Sequence, residues 1–83
     1  MIYQAQITIM PLKELLDPQG KAVQESLPSL GIQAIQDVRI GKHIVLQIEA
    51  GDAQEAETIA VNACKKILYN PVMEQFHVSI SSE

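Results

Sequence analysis

The chain has 83 residues, 47% of them apolar and 19% charged, which is the composition of one small globular domain rather than a disordered segment. Six Lys and Arg against ten Asp and Glu leave a net charge of −4. That balance excludes the clustered positive charge on which binding to nucleic acid or to an anionic membrane surface depends. Cys64 is the single cysteine, so no intrachain disulfide can form. No apolar run approaches the roughly 20 residues needed to span a bilayer. Met1-Ile2-Tyr3-Gln4 does not start a signal peptide, so the cytoplasm is the expected compartment.

From Ile2 to Met10, Tyr3, Ala5, Ile7 and Ile9 alternate with Gln4, Gln6 and Thr8, the period of a half-buried strand that Pro11 ends. After a Leu-rich connection, Asp17-Pro18 reads as a helix start. Asp17 can cap the free amides, and Pro18 stands where a missing N–H costs nothing. Val23, Leu27 and Leu30 follow at helical spacing. Pro28 should kink or loosen the last turn before Gly31 stops it.

Residues 32–49 read as two strands about Gly41-Lys42. Val38 and Ile40 precede the glycine and Ile44, Leu46 and Ile48 follow it. A two-residue loop would send these two apolar sets to opposite faces. The expected solution is a bulged hairpin with the three-residue loop Gly41-Lys42-His43 and a positive φ at Gly41. Asp52-Ala53-Gln54-Glu55 approximates a capping box and opens a second helix, with Ala56, Ile59, Ala60, Ala63 and Ile67 as its expected buried stripe. Asn70 in a left-handed conformation and Pro71 should close that helix. Phe76, Val78 and Ile80 alternate in a last strand. The order βαββαβ predicts one α+β domain over residues 1–83, ferredoxin-like, with a four-stranded antiparallel sheet and both helices on one face.

A catalytic constellation is hard to assemble from these residues. Cys64 lies late in a helix beside the apolar stripe, far from any helix N-terminus that would acidify it, and reads as a small core residue. His43 and His77 have no acidic or cysteine partner at metal-ligand spacing. Glu55 and Glu57 suit the start of a helix and do not share a face, while Glu14 and Asp17 flank a connection. Asp17-Pro18-Gln19-Gly20-Lys21 has one glycine and a lysine at a helix start, but the capping aspartate occupies the place an anion would take. An RNA-reading sheet needs aromatics on its open face, and Tyr3 and Phe76 fall on the core side. The expected open face (Gln4, Gln6, Thr8, Ile35, Val45, Gln47, Gln75, His77, Ser79) is polar and uncharged, a composition compatible with an interface.

The opening strand, Leu16-Asp17-Pro18-Gln19-Gly20 followed by Ala22-Val23, the segment Gln36-Asp37-Val38-Arg39-Ile40-Gly41-Lys42, and the stretch from Leu68 to Glu74 together resemble the PurS family almost end to end. Pro28 departs from the family pattern. PurS is the small subunit of the multi-subunit phosphoribosylformylglycinamidine synthase of purine biosynthesis. The resemblance implies a homodimer that binds a large synthetase subunit and a glutaminase subunit, so that ammonia passes between them. The complex uses ATP with magnesium and glutamine; the resemblance gives this chain no catalytic residue and no cofactor or metal of its own. Arg39, Lys42, Asp37 and Gln19 are the expected subunit contacts. Asp17, Pro18, Gly20, Gly41, Asp52 and Pro71 are expected to be structural. The competing expectation is a small-molecule sensor domain on a ferredoxin-like scaffold, with a pocket of converging polar groups.

Overall fold

The computed structural model describes residues 1–82. The central strand β1 (Ile2–Pro11) pairs antiparallel with β2 (Lys42–Glu49) on one side and β3 (Glu74–Ser82) on the other, a three-stranded sheet of order β2-β1-β3. Register follows the apolar alternation: Ile7 lies between Ile44 and Val78, and Ala5 between Leu46 and Ile80.

Helix α2 (Ala53–Ala63) crosses the apolar face of this sheet. Asp52 caps it by accepting from the Glu55 amide at 2.8 Å. Ala56, Ala60 and Cys64, spaced four apart, turn their small side chains to the sheet and are fully buried. Their size lets the helix settle onto Tyr3 and Ala5 at one end and onto Ile7 and Ile9 at the other. Of the expected stripe, Ala56 and Ala60 are buried as anticipated, while its two isoleucines are not. Ile59 is exposed, and Ile67 is 80% exposed. At Ile67 the cause is a π-turn over Cys64–Leu68, closed by the Tyr69 amide on the Cys64 carbonyl at 3.3 Å. The widened turn rotates Ile67 outward and brings Leu68 and Tyr69 to the core. Tyr69 meets Phe76 edge-on, ring centroids 4.7 Å apart.

Asn70 is not left-handed; among the described residues only Gly31 has a positive φ, at 86°. Asn70 organises its turn by hydrogen bonding instead. Its carbonyl accepts from the Met73 and Glu74 amides, its side chain accepts from the Val72 amide, and its own amide donates to Glu74.

The region between β1 and β2 departs most from expectation. Helix α1 (Pro18–Ser26) starts at the Asp17 cap and gives way at Pro28 to a 3₁₀ turn, Pro28–Leu30, stopped by left-handed Gly31. Residues 33–40 pair with no strand, so the sheet has three strands and the hairpin at Gly41-Lys42-His43 does not form. Lys42 and His43 already lie in β2, opposite Ile9 and Thr8, and Gly41 has no positive φ. A Cβ at Gly41 would run into the Ile9 carbonyl and the Met10 sulfur, so the glycine serves close backbone approach rather than a turn. Nor does α1 lie on the sheet. It packs on the 3₁₀ turn and on residues 36–40 as an arm projecting from one end of the domain. The molecule is accordingly elongated, 51 × 27 × 14 Å with a radius of gyration of 16.4 Å. A compact chain of this length would have about 12 Å.

Candidate assembly site

The two segments singled out by their sequence, 16–20 and 36–42, meet in the arm. Asp17 Oδ1 accepts from the Gly20 amide at 3.1 Å, and Oδ2 accepts from the Ile40 amide at 2.8 Å. One carboxylate therefore caps α1 and ties it to the extended segment behind it. Gly20 closes the same contact. It is buried against the Val38 carbonyl, where a Cβ would overlap the oxygen. Gln24, one turn further on, donates to the Gln36 carbonyl at 2.8 Å.

Arg39 completes the bracket. Its guanidinium donates to the Leu12 carbonyl at 3.0 Å, the Leu15 carbonyl at 3.1 Å and the Lys13 carbonyl at 2.6 Å, fixing the loop that leaves β1. Its Nε meets Asp37 at 3.4 Å. A planar fork of donors suits this gathering of three carbonyls in a way that a lysine could not. Lys42 reaches Glu74 at 3.7 Å, while Asp37 and Gln19 stay largely exposed. The four expected contact residues thus divide into an internal brace, Arg39, and three positions at the surface. The brace was missed because its partners are backbone carbonyls, which leave no mark in a sequence.

Hydrogen bonds from the Ile40 and Gly20 amides hold the Asp17 carboxyl below its ordinary value of 3.8, with lesser help from Gln19 and Arg39 against the opposing effect of desolvation. A lowered carboxyl pKa stabilises the fold above the unfolded value, about 3.9, and that contribution disappears as pH falls through the folded value. Asp17→Asn is therefore expected to lower the Tm at neutral pH, with the deficit shrinking below about pH 4. A deficit that stays constant in thermal melts between pH 6 and about 2.5 would remove this role.

A cleft of about 250 Å³ opens between Leu15, Leu16, Asp17, Lys21, Asp37 and Arg39. Three of its four charged side chains are already engaged with one another or with the backbone. Among the described residues no group of three or more His, Cys, Asp or Glu could hold a metal ion. Cys64 is fully buried, and burial pushes its thiol pKa up, away from nucleophilic character. His43 and His77 flank Thr8 across the open face of the sheet, with His43 3.5 Å from the threonine hydroxyl.

Several known proteins share this architecture throughout. The PurS subunit of phosphoribosylformylglycinamidine synthase from Bacillus subtilis is 35% identical over 79 residues, 95% of this chain and 93% of its own. Thermus thermophilus PurS superposes with a TM-score of 0.85 at 37% identity, covering 100% of this chain and 99% of that one. A chain in the PurLQS structure from Thermotoga maritima superposes with a TM-score of 0.90 at 27% identity, over 98% and 99% of the two chains. The family described as PurS, phosphoribosylformylglycinamidine (FGAM) synthase, matches residues 4–82, and the chain belongs to it.

Proposed function

We propose that this chain is the non-catalytic assembly subunit of a cytoplasmic phosphoribosylformylglycinamidine synthase. The observation that carries this reading is the end-to-end superposition on a chain of the PurLQS structure, at a TM-score of 0.90. In this reading the complex uses ATP, magnesium and glutamine to convert formylglycinamide ribonucleotide to formylglycinamidine ribonucleotide. Ammonia released in a glutaminase subunit travels to a large synthetase subunit, and this chain, as a homodimer, binds both and holds them in register. Gln19, Asp37 and Lys42 are the proposed contacts with those subunits. Arg39 supports them from behind by fixing the loop at Leu12–Leu15.

Reconstitution of the complex with and without this subunit tests the proposal. Omission is expected to lower glutamine-dependent product formation by at least about tenfold, because ammonia escaping to solvent forfeits the effective concentration that docked partners provide. Equal rates with and without the subunit would refute the assembly role.

A further inference from the structure

Helix α2 runs into a feature that its own chain does not use. The π-turn over Cys64–Leu68 sets Leu68 and Tyr69 against the core and turns Ile67 outward, where it is 80% exposed. Among the described residues no other large apolar side chain is as exposed. A π-turn sacrifices regular helical hydrogen bonding, and such turns recur at functional sites. Lys65 and Lys66 precede Ile67, and among the described residues neither has an ion-pair partner. The helix thus finishes in an apolar knob beside two unanswered positive charges.

A second cleft, of about 280 Å³, has the complementary chemistry. Its walls include the loop after β1 and the turn before β3, which are joined where the Leu12 amide donates to the Met73 carbonyl at 2.9 Å. Leu16 and Met73 stand at its surface, 70% and 52% exposed. Asp17 and Glu74 are its charged residues, and no Lys or Arg lines it. Lys42 offsets Glu74 from outside at 3.7 Å, while the Asp17 carboxylate accepts from amides and keeps its charge. The cleft is smaller than the roughly 300–1,000 Å³ that enclose a small molecule, and its carboxylates repel phosphate-bearing ligands. An aliphatic side chain with a basic neighbour fits both its size and its charge.

Ile67 does not line this cleft in its own chain. Leu68 and Tyr69 are held against the core, Tyr69 by Phe76, so Ile67 cannot swing inward without undoing the π-turn. Knob and cleft nevertheless lie at the same end of the domain, where α2 finishes and β3 begins. A surface that carries both halves of a complementary pair is what an isologous contact requires. Resting on the homodimer reading above, we infer that each copy seats its Ile67 in the Leu16–Met73 cleft of the other, with the Lys65-Lys66 pair beside Asp17 and Glu74. The two seats are equivalent, so each interaction is made twice. Each copy carries a net charge of −4, and the lysines give the contact the local complementarity that offsets repulsion between the wholes.

Sedimentation equilibrium of the full chain, with Ile67→Asp and Leu16→Asp beside the wild type, tests the contact. Both side chains are exposed within one chain, so circular dichroism should report an intact fold. Each variant is expected to weaken dimerisation by about tenfold or more, because an apolar anchor is replaced by a charge at both seats. Cross-linking checks the pairing independently. A mixture of Leu16→Cys and Ile67→Cys chains under mild oxidation should give a covalent dimer of one variant with the other, and the buried Cys64 does not compete. A monomeric wild type would overturn both the homodimer reading and this contact. A wild-type dimer that either aspartate leaves unchanged, or a mixture without the mixed cross-link, would overturn the contact alone. Aspartates that spare the dimer but abolish stimulation of the reconstituted synthase would assign knob and cleft to another subunit, and would overturn it too.

Discussion

Replacing Ile7 with alanine is expected to destabilise the domain by about 2–5 kcal/mol, the range for deleting a fully buried isoleucine side chain beyond Cβ. Ile7 is completely buried in the central strand, between Ile44 and Val78, under the Cys64 turn of α2. Its neighbours cannot collapse to fill the gap. Ile9 and Cys64 are held by strand register and helix docking, and Phe76 is locked against Tyr69. A chain of this size has on the order of 4–12 kcal/mol of stability in all, so the substitution removes a large share of it. Urea unfolding of Ile7→Ala should show a much lower midpoint. Val45→Ala on the open face, where Val45 is exposed, should shift it by about 0.5 kcal/mol or less. Similar shifts for the two variants would mean that the core is not where the burial pattern places it.

The sheet lobe was legible because its signals are local and repeat. Tyr3, Ala5, Ile7 and Ile9 alternate, Asp52 announces a helix, and Phe76, Val78 and Ile80 alternate again. The arm was less legible because its logic is not local. The parity of Val38 to Ile48 was visible, and it already spoke against a two-residue hairpin. Adding a bulge reconciles that parity with a hairpin on paper, yet residues 33–40 pair with no strand and the hairpin does not form. Asp17 and Pro18 stand at the start of α1 by side-chain chemistry that a sequence displays. The contacts of Gly20 with the Val38 carbonyl, and of Arg39 with three carbonyls, depend on tertiary approach that no spacing encodes. Resemblance to a family marked these positions without saying what they do, and surface contact was the natural guess for a charged residue such as Arg39. The geometry adds that the half-buried Arg39 braces the loop after β1 through three carbonyls.

Gly20→Ala separates helix propensity from packing, because the two predict opposite signs. Within α1, alanine is favoured over glycine by about 1 kcal/mol, and Gly20 has no positive φ that would forbid a side chain. Judged by propensity alone, the variant should be more stable. Its Cβ, however, would overlap the Val38 carbonyl and crowd Asp17 Oδ2, the oxygen that accepts from Ile40. The carbonyl belongs to backbone held on both sides, by the Gln24–Gln36 bond and by Arg39, so it cannot move aside alone. Overpacking of this kind costs about 1–3 kcal/mol, which outweighs the propensity gain in most of that range. The expected result is a lower Tm. Hydrogen exchange should locate the loss in α1 and at the Ile40 amide, leaving the β1–β3 ladder protected. An alanine that raised the Tm would show that helix and strand are not clamped together, and the arm would then be two loosely joined segments rather than one unit.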